Sequence, residues 1–478
     1  MIADAKPYLK YKESGLPWLG QVPGHWEMRP AFGAYVPNHE RNHGMKEKTV
    51  LSLSYGRIII KPAEKLHGLV PESFETYQIV NPGDIVLRTT DLQNDRTSLR
   101  VGMVRDRGII TSAYLAMRTS PGVSPEFGFQ FLNVWDSSKA IYSYGSGLRQ
   151  NLDFSQFKRM PVAVPPLDEQ MAIVRFLDWA NGRLERAIRS KRKVIALLNE
   201  QKQVIIHRAV TRGLDPNVPL KPSGIPWLGN IPKHWELWRI SRFARVGNGS
   251  TPSRGKPAYW NGGIYPWLNS SQINRGHIDS ADQFVTSVAL RECHLPKVPA
   301  GSVLVAITGQ GKTRGMSAVL GIEATINQHI AYITPRVPVA SPEFIHLALT
   351  AAYSQLRAIS DDSGSTKGAL TCEDLKRFKL PFPPREEQDV LLKRIQTETA
   401  ELTTTVSRLE REIELLREYR TRLVADVVTG KLDVRAAAVK LPEEAADLEP
   451  IEDANTLVEG EEDEDHEGLD AVAQEAEA

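Results

Sequence analysis

Residues 168–212 read DEQMAIVRFLDWANGRLERAIRSKRKVIALLNEQKQVIIHRAVTR, and the same pattern returns 218 residues later, at 386–430, as EEQDVLLKRIQTETAELTTTVSRLEREIELLREYRTRLVADVVTG. Each stretch follows a proline pair, Pro165-Pro166 or Pro383-Pro384, and opens with acidic residues, which favour the N-terminus of a helix. Apolar residues then recur at alternating intervals of four and three, which is the spacing of a coiled coil. We therefore predict two long helices, at residues 168–212 and 386–435.

The seam positions of these two helices correspond at the 218-residue offset, except that Lys191 stands where the second helix has Leu409. Unrelated helices have no reason to share a heptad phase over this length, so we expect the two to pair with each other. Because a whole domain must fit between them, an antiparallel pair is favoured. The predicted seam consists of Leu177, Leu184, Ile188, Ile195, Leu198 and Ile205 in the first helix and Ile395, Leu402, Val406, Leu409, Ile413, Leu416 and Leu423 in the second.

The length and composition are those of a multidomain protein that stays in the cytoplasm. A chain of 478 residues is too long for one ordinary core. No signal peptide is evident at Met1, and no apolar run approaches the roughly 20 residues of a membrane span. Cys293 and Cys372 have no metal-ligand spacing, so we expect ordinary thiols and neither a disulfide framework nor a metal site.

The net charge of +1 conceals a strong asymmetry along the chain. Residues 441–478 contain 16 Asp and Glu but no Lys or Arg, which leaves 59 basic against 42 acidic residues, a charge of +17, on residues 1–440. A basic body suits nucleic-acid binding, although charge alone is not a specific signal. We expect the acidic tail to be disordered.

A second repeat precedes each half: residues 14–27 read SGLPWLGQVPGHWE and residues 223–236 read SGIPWLGNIPKHWE. We call these stretches the first and second tryptophan segments. Their prolines and glycines exclude a regular helix, so we expect loops that pack tryptophans onto the following domain. His25 and His234 lie beside tryptophans, and we favour a hydrogen-bonding role for both over a catalytic one.

Between each tryptophan segment and its long helix, the two halves keep a common plan of short strands and turns. Pro82-Gly83-Asp84 and Ala300-Gly301-Ser302 each lead into a buried strand, and the stretches 127–135 and 344–353 both look helical. The fold class is therefore predicted to be α+β, with two similar mixed α/β domains separated by the two helices and related by a pseudo-twofold internal repeat. The expected boundaries are 1–167 for the first domain, 168–212 for the first helix, 213–385 for the second domain, 386–435 for the second helix and 436–478 for the disordered tail.

Tests for catalytic motifs favour a chain without chemistry of its own. Gly309-Gln310-Gly311-Lys312-Thr313 resembles the end of a phosphate-binding loop, but Ala306 occupies the position where the full pattern requires glycine. A nucleotide-binding enzyme therefore stays only as an alternative. The sequence also lacks the flanks of an amino-methyltransferase motif around its proline pairs, as well as a convincing nuclease or helicase set.

Taken together, these motifs resemble the DNA specificity subunit of type I restriction-modification enzymes, over about residues 12–435. The most specific marks are the paired tryptophan segments, the paired helix starts, and the helix exits VTRGLD from Val210 and VTGKLD from Val428. Two further motifs, GNGSTPSRGKPAYWNGG from Gly247 and Asn327-Gln328-His329, occur only in the second half. The first half has Thr111-Ser112-Ala113 where the latter would fall.

The resemblance implies two target-recognition domains, each reading one half of a bipartite site in double-stranded DNA. It implies a subunit without catalysis or bound cofactor, which joins two modification subunits that use S-adenosylmethionine for adenine methylation. Two ATP- and Mg-dependent restriction subunits then join for cleavage, and no membrane is involved. A nucleic-acid-binding adaptor outside restriction-modification is the alternative from another class.

Base readers are usually Arg, Lys, Asn and Gln, whereas hydroxyl groups and backbone amides mostly contact phosphate. These residue types are concentrated in loops of both domains. The candidate DNA-binding residues are Arg88, Gln93, Asn94, Arg96, Arg149 and Gln150 in the first domain, and Ser253, Arg254, Gln310, Lys312, Arg314, Gln328 and Lys367 in the second.

Overall fold

The computed structural model describes residues 6–62, 73–146, 150–309, 311–336, 340–361 and 368–442. Within these residues the chain forms two compact units. The first contains residues up to Lys191 together with the stretch from Arg411 onward, and the second contains Arg192–Glu410. The division passes through both long helices, so each unit holds one domain and one half of each helix.

The first unit is built on a four-stranded antiparallel sheet, ordered Tyr35–Pro37, Tyr114–Thr119, Ile85–Arg88, Val101–Met103. Four strand pairs surround it: Tyr11–Glu13 with Gln21–Pro23, Glu27–Pro30 with Pro161–Val164, Leu51–Ser54 with Arg57–Ile60, and Gln78–Val80 with Gly108–Ile110. The helices outside the long pair are Ala31–Ala34, Pro125–Ser137, Ala140–Ser143, Phe154–Phe157 and Arg435–Val439.

The second unit repeats this sheet in the same strand order: Ala244–Asn248, Ile330–Pro335, Ser302–Ala306, Ser317–Leu320. A fifth strand, His277–Ile278, pairs parallel to the last. The remaining strands are Leu220–Pro222 with Asn230–Pro232, Glu236–Arg239 with Lys379–Phe382, and Tyr265–Leu268 between Gln283–Val285 and Thr325–Ile326. The helices are Ile240–Phe243, Pro257–Tyr259, Ser270–Arg275, Ser287–Glu292, Pro342–Ala351, Tyr353–Asp361 and Cys372–Arg377. The predicted internal repeat of two mixed domains is confirmed.

The two long helices, Leu167–Arg212 and Arg385–Val428, pair in antiparallel fashion within each unit. In the first unit Glu185 accepts from Arg420 (2.9 Å), and Lys191 bonds Glu412 (2.5 Å). Residue numbers that rise along the first helix therefore face residue numbers that fall along the second. In the second unit the start of the second helix packs with the end of the first, as shared core residues show. Every predicted seam side chain is buried or half-buried. The antiparallel coiled coil is confirmed.

Each long helix begins at a carboxylate that binds the tryptophan segment of its own domain. Glu169 accepts from the Trp26 indole (2.8 Å) and contacts the His25 imidazole (2.7 Å). Glu387 binds Trp235 (3.0 Å) and His234 (2.8 Å) in the same way. The hydrogen-bonding role expected for both histidines is what the structure contains.

The glutamine that follows each of these carboxylates ties the helix start to the domain helix. Gln170 accepts from the backbone of Ser124 (2.8 Å), and Gln388 accepts from that of Ser341 (2.9 Å). Both serines are N-caps of the helices predicted within 127–135 and 344–353. The Glu-Gln pair at each helix start therefore fixes the long helix to its domain at two points.

The second long helix ends at Val428, before the predicted end at 435. Gly430 adopts a left-handed backbone (φ +73°), and the amides of Lys431 and Leu432 both bond the carbonyl of Asp426 (2.8 and 3.1 Å). This glycine-dependent turn stops a helix and satisfies its final carbonyls.

The expectation of a disordered tail from residue 436 is wrong for residues 436–442. Helix Arg435–Val439 follows the turn, and Ala437, Ala438 and Leu441 are buried in the core of the first unit. Arg175 donates to the carbonyl of Leu441 (2.9 Å). The burial of these apolar side chains stabilises an ordered structure at the start of the predicted tail. Residues 443–478, which hold the acidic residues of the tail, lie outside the described part of the chain. No helix in the described residues combines the length and apolarity needed to cross a bilayer.

Candidate nucleic-acid interface

In the first domain, a loop joins the sheet strands Ile85–Arg88 and Val101–Met103 and carries three of the predicted contact residues, while a fourth, Arg88, ends the strand before it. The side chains of Gln93, Asn94 and Arg96 are exposed along this loop. The Asn94 amide donates to the Asp91 carboxylate (2.7 Å), and the guanidinium of Arg96 lies 5.8 Å from the centre of the Tyr142 ring. The loop therefore presents a compact group of polar side chains at its surface.

Arg100, which the sequence reasoning missed, holds this loop from inside. Its side chain is completely buried and its guanidinium group lies against the Tyr142 ring (5.7 Å). It donates to four backbone carbonyls of the loop, those of Arg88 (3.4 Å), Thr90 (2.7 Å), Asp91 (3.1 Å) and Asp95 (2.5 Å). A planar donor with five N–H groups can bond several carbonyls at once, so this residue fixes the shape of the loop rather than reading DNA.

Arg88 lies at the base of the loop and is engaged with Asp95 (3.5 Å). Burial opposes ionisation of the Asp95 carboxyl, but hydrogen bonds from Ser98 and the charge of Arg100 outweigh it and lower its pKa to about 2. Asp95 is therefore a carboxylate at neutral pH, and it holds Arg88 by charge.

Gln150 has a positive φ of 51°, and its amide donates to the carbonyls of Tyr142 (2.7 Å) and Tyr144 (2.8 Å). Its amide nitrogen therefore has a structural task within the domain. Arg149, the neighbouring candidate, lies outside the described residues.

In the second domain, Arg254 lies on a platform of two tryptophans. Its guanidinium carbon is 3.9 Å from the centre of the Trp260 ring and 5.1 Å from that of Trp267. It also donates to the Gln283 amide oxygen (2.8 Å), and the Trp260 indole donates to the carbonyl of Ser253 (3.0 Å). Stacking of this kind orients an exposed guanidinium while leaving donors on its free edge.

The structure brings the two second-half motifs together at this surface. Thr251, of the stretch that begins at Gly247, donates to the side-chain oxygen of Gln328 (2.5 Å). The Gln328 nitrogen contacts His329 Nε2 (3.0 Å), and His329 Nδ1 contacts the Thr308 hydroxyl (2.6 Å). The buried Asn327 accepts from the His329 amide (3.0 Å) and so fixes this turn. We call Thr251, Gln328, His329 and Thr308 the glutamine relay.

The loop between Ser302–Ala306 and Ser317–Leu320 separates two other candidates. Lys312 is exposed, whereas Arg314 is buried and ion-paired with Asp361. Arg314 thus resembles Arg100 in anchoring a loop from within. A phosphate-binding loop leads from a strand into a helix. This loop instead joins two antiparallel strands. Gln310 and Lys367 lie outside the described residues.

The structure therefore groups Gln93, Asn94 and Arg96 in one domain, and Ser253, Arg254 and Gln328 in the other. Thr251, Thr308, His329, Gln283 and Arg100 were missed. Thr251 and His329 could have been found, because both lie inside motifs that the sequence analysis had singled out. The others come from separate strands and loops, and only the fold places them.

Comparison with known proteins finds a family match within the second half of the chain. Residues 232–415 match the family model of the type I restriction modification DNA specificity domain. The chain is 25% identical over 300 residues to the EcoR124I/EcoR124II specificity subunit of Escherichia coli, covering 61% of this chain and 67% of that protein. It is 20% identical over 451 residues to a putative MjaX specificity subunit of Methanocaldococcus jannaschii, covering 87% and 96%.

Among solved structures, a chain from a study of complex assembly and conformational transition of the type I R-M system has a similar fold. The TM-score is 0.52 at 16% identity, over 85% of this chain and 98% of that chain. At this identity the match supports the fold.

Proposed function

We propose, from the premise that this chain belongs to the family of type I restriction-modification specificity subunits, that its two domains read the two halves of one bipartite DNA site. The observation that carries the proposal is the repeated sheet: both domains share one strand order, and the matched specificity domain is one of the two copies. A shared scaffold with different loops suits two different half-sites.

The loops differ in the way that such a division requires. The first domain presents Gln93, Asn94 and Arg96 above the buried Arg100, whereas the second presents Arg254 and Gln328 beside two tryptophans. Amide and guanidinium groups are the side chains that most often read base edges. The charge of +17 on residues 1–440 supplies the phosphate attraction that any DNA complex needs.

We further propose that the chain does no chemistry and holds no cofactor. Two modification subunits supply S-adenosylmethionine-dependent adenine methylation, and two restriction subunits supply ATP- and Mg-dependent cleavage. The isolated chain is expected to bind DNA weakly, to become specific when it is co-expressed with a modification partner, and to lose affinity steeply as salt rises.

Domain exchange tests this function. Replacing residues 28–164 with the equivalent stretch of a relative is expected to change one half of the methylated sequence, because the second domain and both long helices are kept. The matched control replaces residues 237–382 and is expected to change only the other half. The readout is a map of methylated sites in cells that carry the subunit and its modification partner. A change of both halves after either exchange would refute independent reading.

A further inference from the structure

The glutamine relay uses only part of the hydrogen-bonding capacity of Gln328. An amide side chain has two donor hydrogens and two acceptor lone pairs. Thr251 takes one lone pair and His329 takes one hydrogen, while the side chain itself is exposed. One donor hydrogen and one acceptor lone pair of the same amide group therefore remain for a ligand.

The relay also limits how the amide can turn. Rotation about its last bond would break both the bond to Thr251 and the bond to His329, and His329 is held in turn by the Thr308 hydroxyl and by Asn327. A side chain fixed in this way loses little conformational entropy when it binds. Because the amide is held against flipping, its donor and acceptor do not exchange places to suit a different base.

A donor and an acceptor side by side on a planar amide match one base edge in particular. In the major groove, adenine presents N7 as an acceptor beside the N6 amino group as a donor, and a bidentate glutamine satisfies both. Guanine presents two acceptors there, which would leave the Gln328 oxygen facing a carbonyl.

From this geometry we infer that Gln328 reads an adenine in the half-site of the second domain, and that Thr251 and His329 are positioning residues for that contact. This inference rests on the function proposed above. It adds the base that is read, the residue that reads it and the two residues that hold the reader in place.

The first test uses base analogues, once the half-site has been mapped. The complete complex with modification subunits is bound to duplexes in which 7-deazaadenine replaces each adenine of the second half-site in turn. Wild-type binding is expected to weaken on the order of 10-fold at one adenine, since N7 can no longer accept. In the Gln328→Ala complex the same replacement is expected to have no effect.

The second test separates positioning from mere folding. Thr251→Val is expected to relax discrimination at that base pair alone, and Thr251→Ser, which keeps the hydroxyl, is expected to restore it. Because Gln328 and Thr251 are exposed, the fold should survive these changes, and the analogue experiment on wild-type protein needs no variant.

Two sets of results would overturn the inference. One is a second half-site without adenine, or one in which every 7-deazaadenine is tolerated. The other is a weakening by 7-deazaadenine that persists unchanged in Gln328→Ala, or a Thr251→Val protein whose site is identical to that of wild type. If the complex methylated no bipartite site at all, the proposed function itself would fail, which is a distinguishable outcome.

Discussion

At the scale of single residues, the side chains that shape the candidate interface differ from those that present it. Arg100 and Arg314 are both buried and both anchor loops of the central sheets, while Arg96, Arg254 and Lys312 are exposed. The type of the residue alone does not distinguish a buried structural arginine from an exposed basic side chain. A candidate list drawn from residue type therefore mixes contact residues with structural ones.

Arg100→Met tests the structural role. Replacement leaves four loop carbonyls without their donor in a buried site, so we expect the free energy of unfolding of the first unit to fall by about 3 kcal/mol or more. Reading of the first half-site should be lost while the second half-site is kept. Arg96→Met is the matched control, because Arg96 is exposed, and it should leave stability nearly unchanged. Thermal unfolding and methylation maps measure both effects.

His346 predicts a pH dependence in the second unit. Burial lowers its pKa to about 4, the charge of His277 acts in the same direction, and Glu343 opposes it. The pKa of His346 in the folded protein lies below the unfolded value of about 6.5, so the unfolded chain takes up a proton more readily. The stability that the neutral imidazole gives the folded protein is therefore complete above about pH 6.5 and is lost as the pH falls toward 4.

The loss of stability is on the order of 3 kcal/mol, judged from the pKa shift. We expect hydrogen-exchange protection in strand Ser317–Leu320 to weaken between about pH 6.5 and 5 in the wild type. In His346→Phe the decline should be smaller, since the titrating group is gone and other groups are unchanged. Equal declines in both proteins would count against this assignment.

At the scale of elements, the long helices depend on tertiary contact for their length. A seam of two apolar positions per heptad stabilises neither helix alone, and each becomes stable by covering the other. Cross-helix ion pairs such as Glu185–Arg420 also favour the antiparallel register.

Ile413→Ala tests the seam at one position. Ile413 is 7% exposed, so truncation should cost about 2–5 kcal/mol through lost burial and the cavity left behind. Leu415, two residues later on the same helix, is 48% exposed, and Leu415→Ala is expected to change stability far less. Denaturant unfolding followed by helical circular dichroism compares the two variants. Similar costs for both would show that the seam is not the source of stability.

At the scale of the whole molecule, the first long helix begins in the first unit and ends in the second, and the second long helix begins in the second unit and ends in the first. We therefore expect their length to set the gap between the two half-sites. The bond between Lys191 and Glu412 aligns the two helices so that the point after Leu198 lies opposite the point after Thr404. One heptad inserted at each of these two points therefore keeps the alternation of the seam. The addition lengthens each helix by roughly 10 Å.

At about 3.4 Å per base pair, this corresponds to about three base pairs and about a third of a turn of DNA. The expected result is a methylated site with the same two half-sequences and a longer gap, or no methylation. Inserting a heptad into one helix alone, as the control, should put the seam out of phase and destabilise the protein. Full methylation of the original site by the doubly lengthened protein would exclude this role for the helices.

The sequence by itself determined the repeat, the two long helices and their seam, because heptad spacing and the identity of the two halves are properties of residue order. It also determined the helix starts, where a proline pair is followed by acids. It did not show why Glu169-Gln170 and Glu387-Gln388 stand there. Their partners, Trp26 and Ser124 in the first unit, lie far away along the chain.

Only the tertiary structure decided which polar residues are free to meet a ligand. Arg314 and Gln150 have the residue types of DNA readers, but burial and internal hydrogen bonds engage them within their own domain. Conversely, Thr251 gains significance because the fold brings it from a distant segment of the chain to Gln328. Residue order specifies which groups exist, but burial and hydrogen-bond pairing depend on contacts between distant segments, and those contacts exist only once the chain has folded.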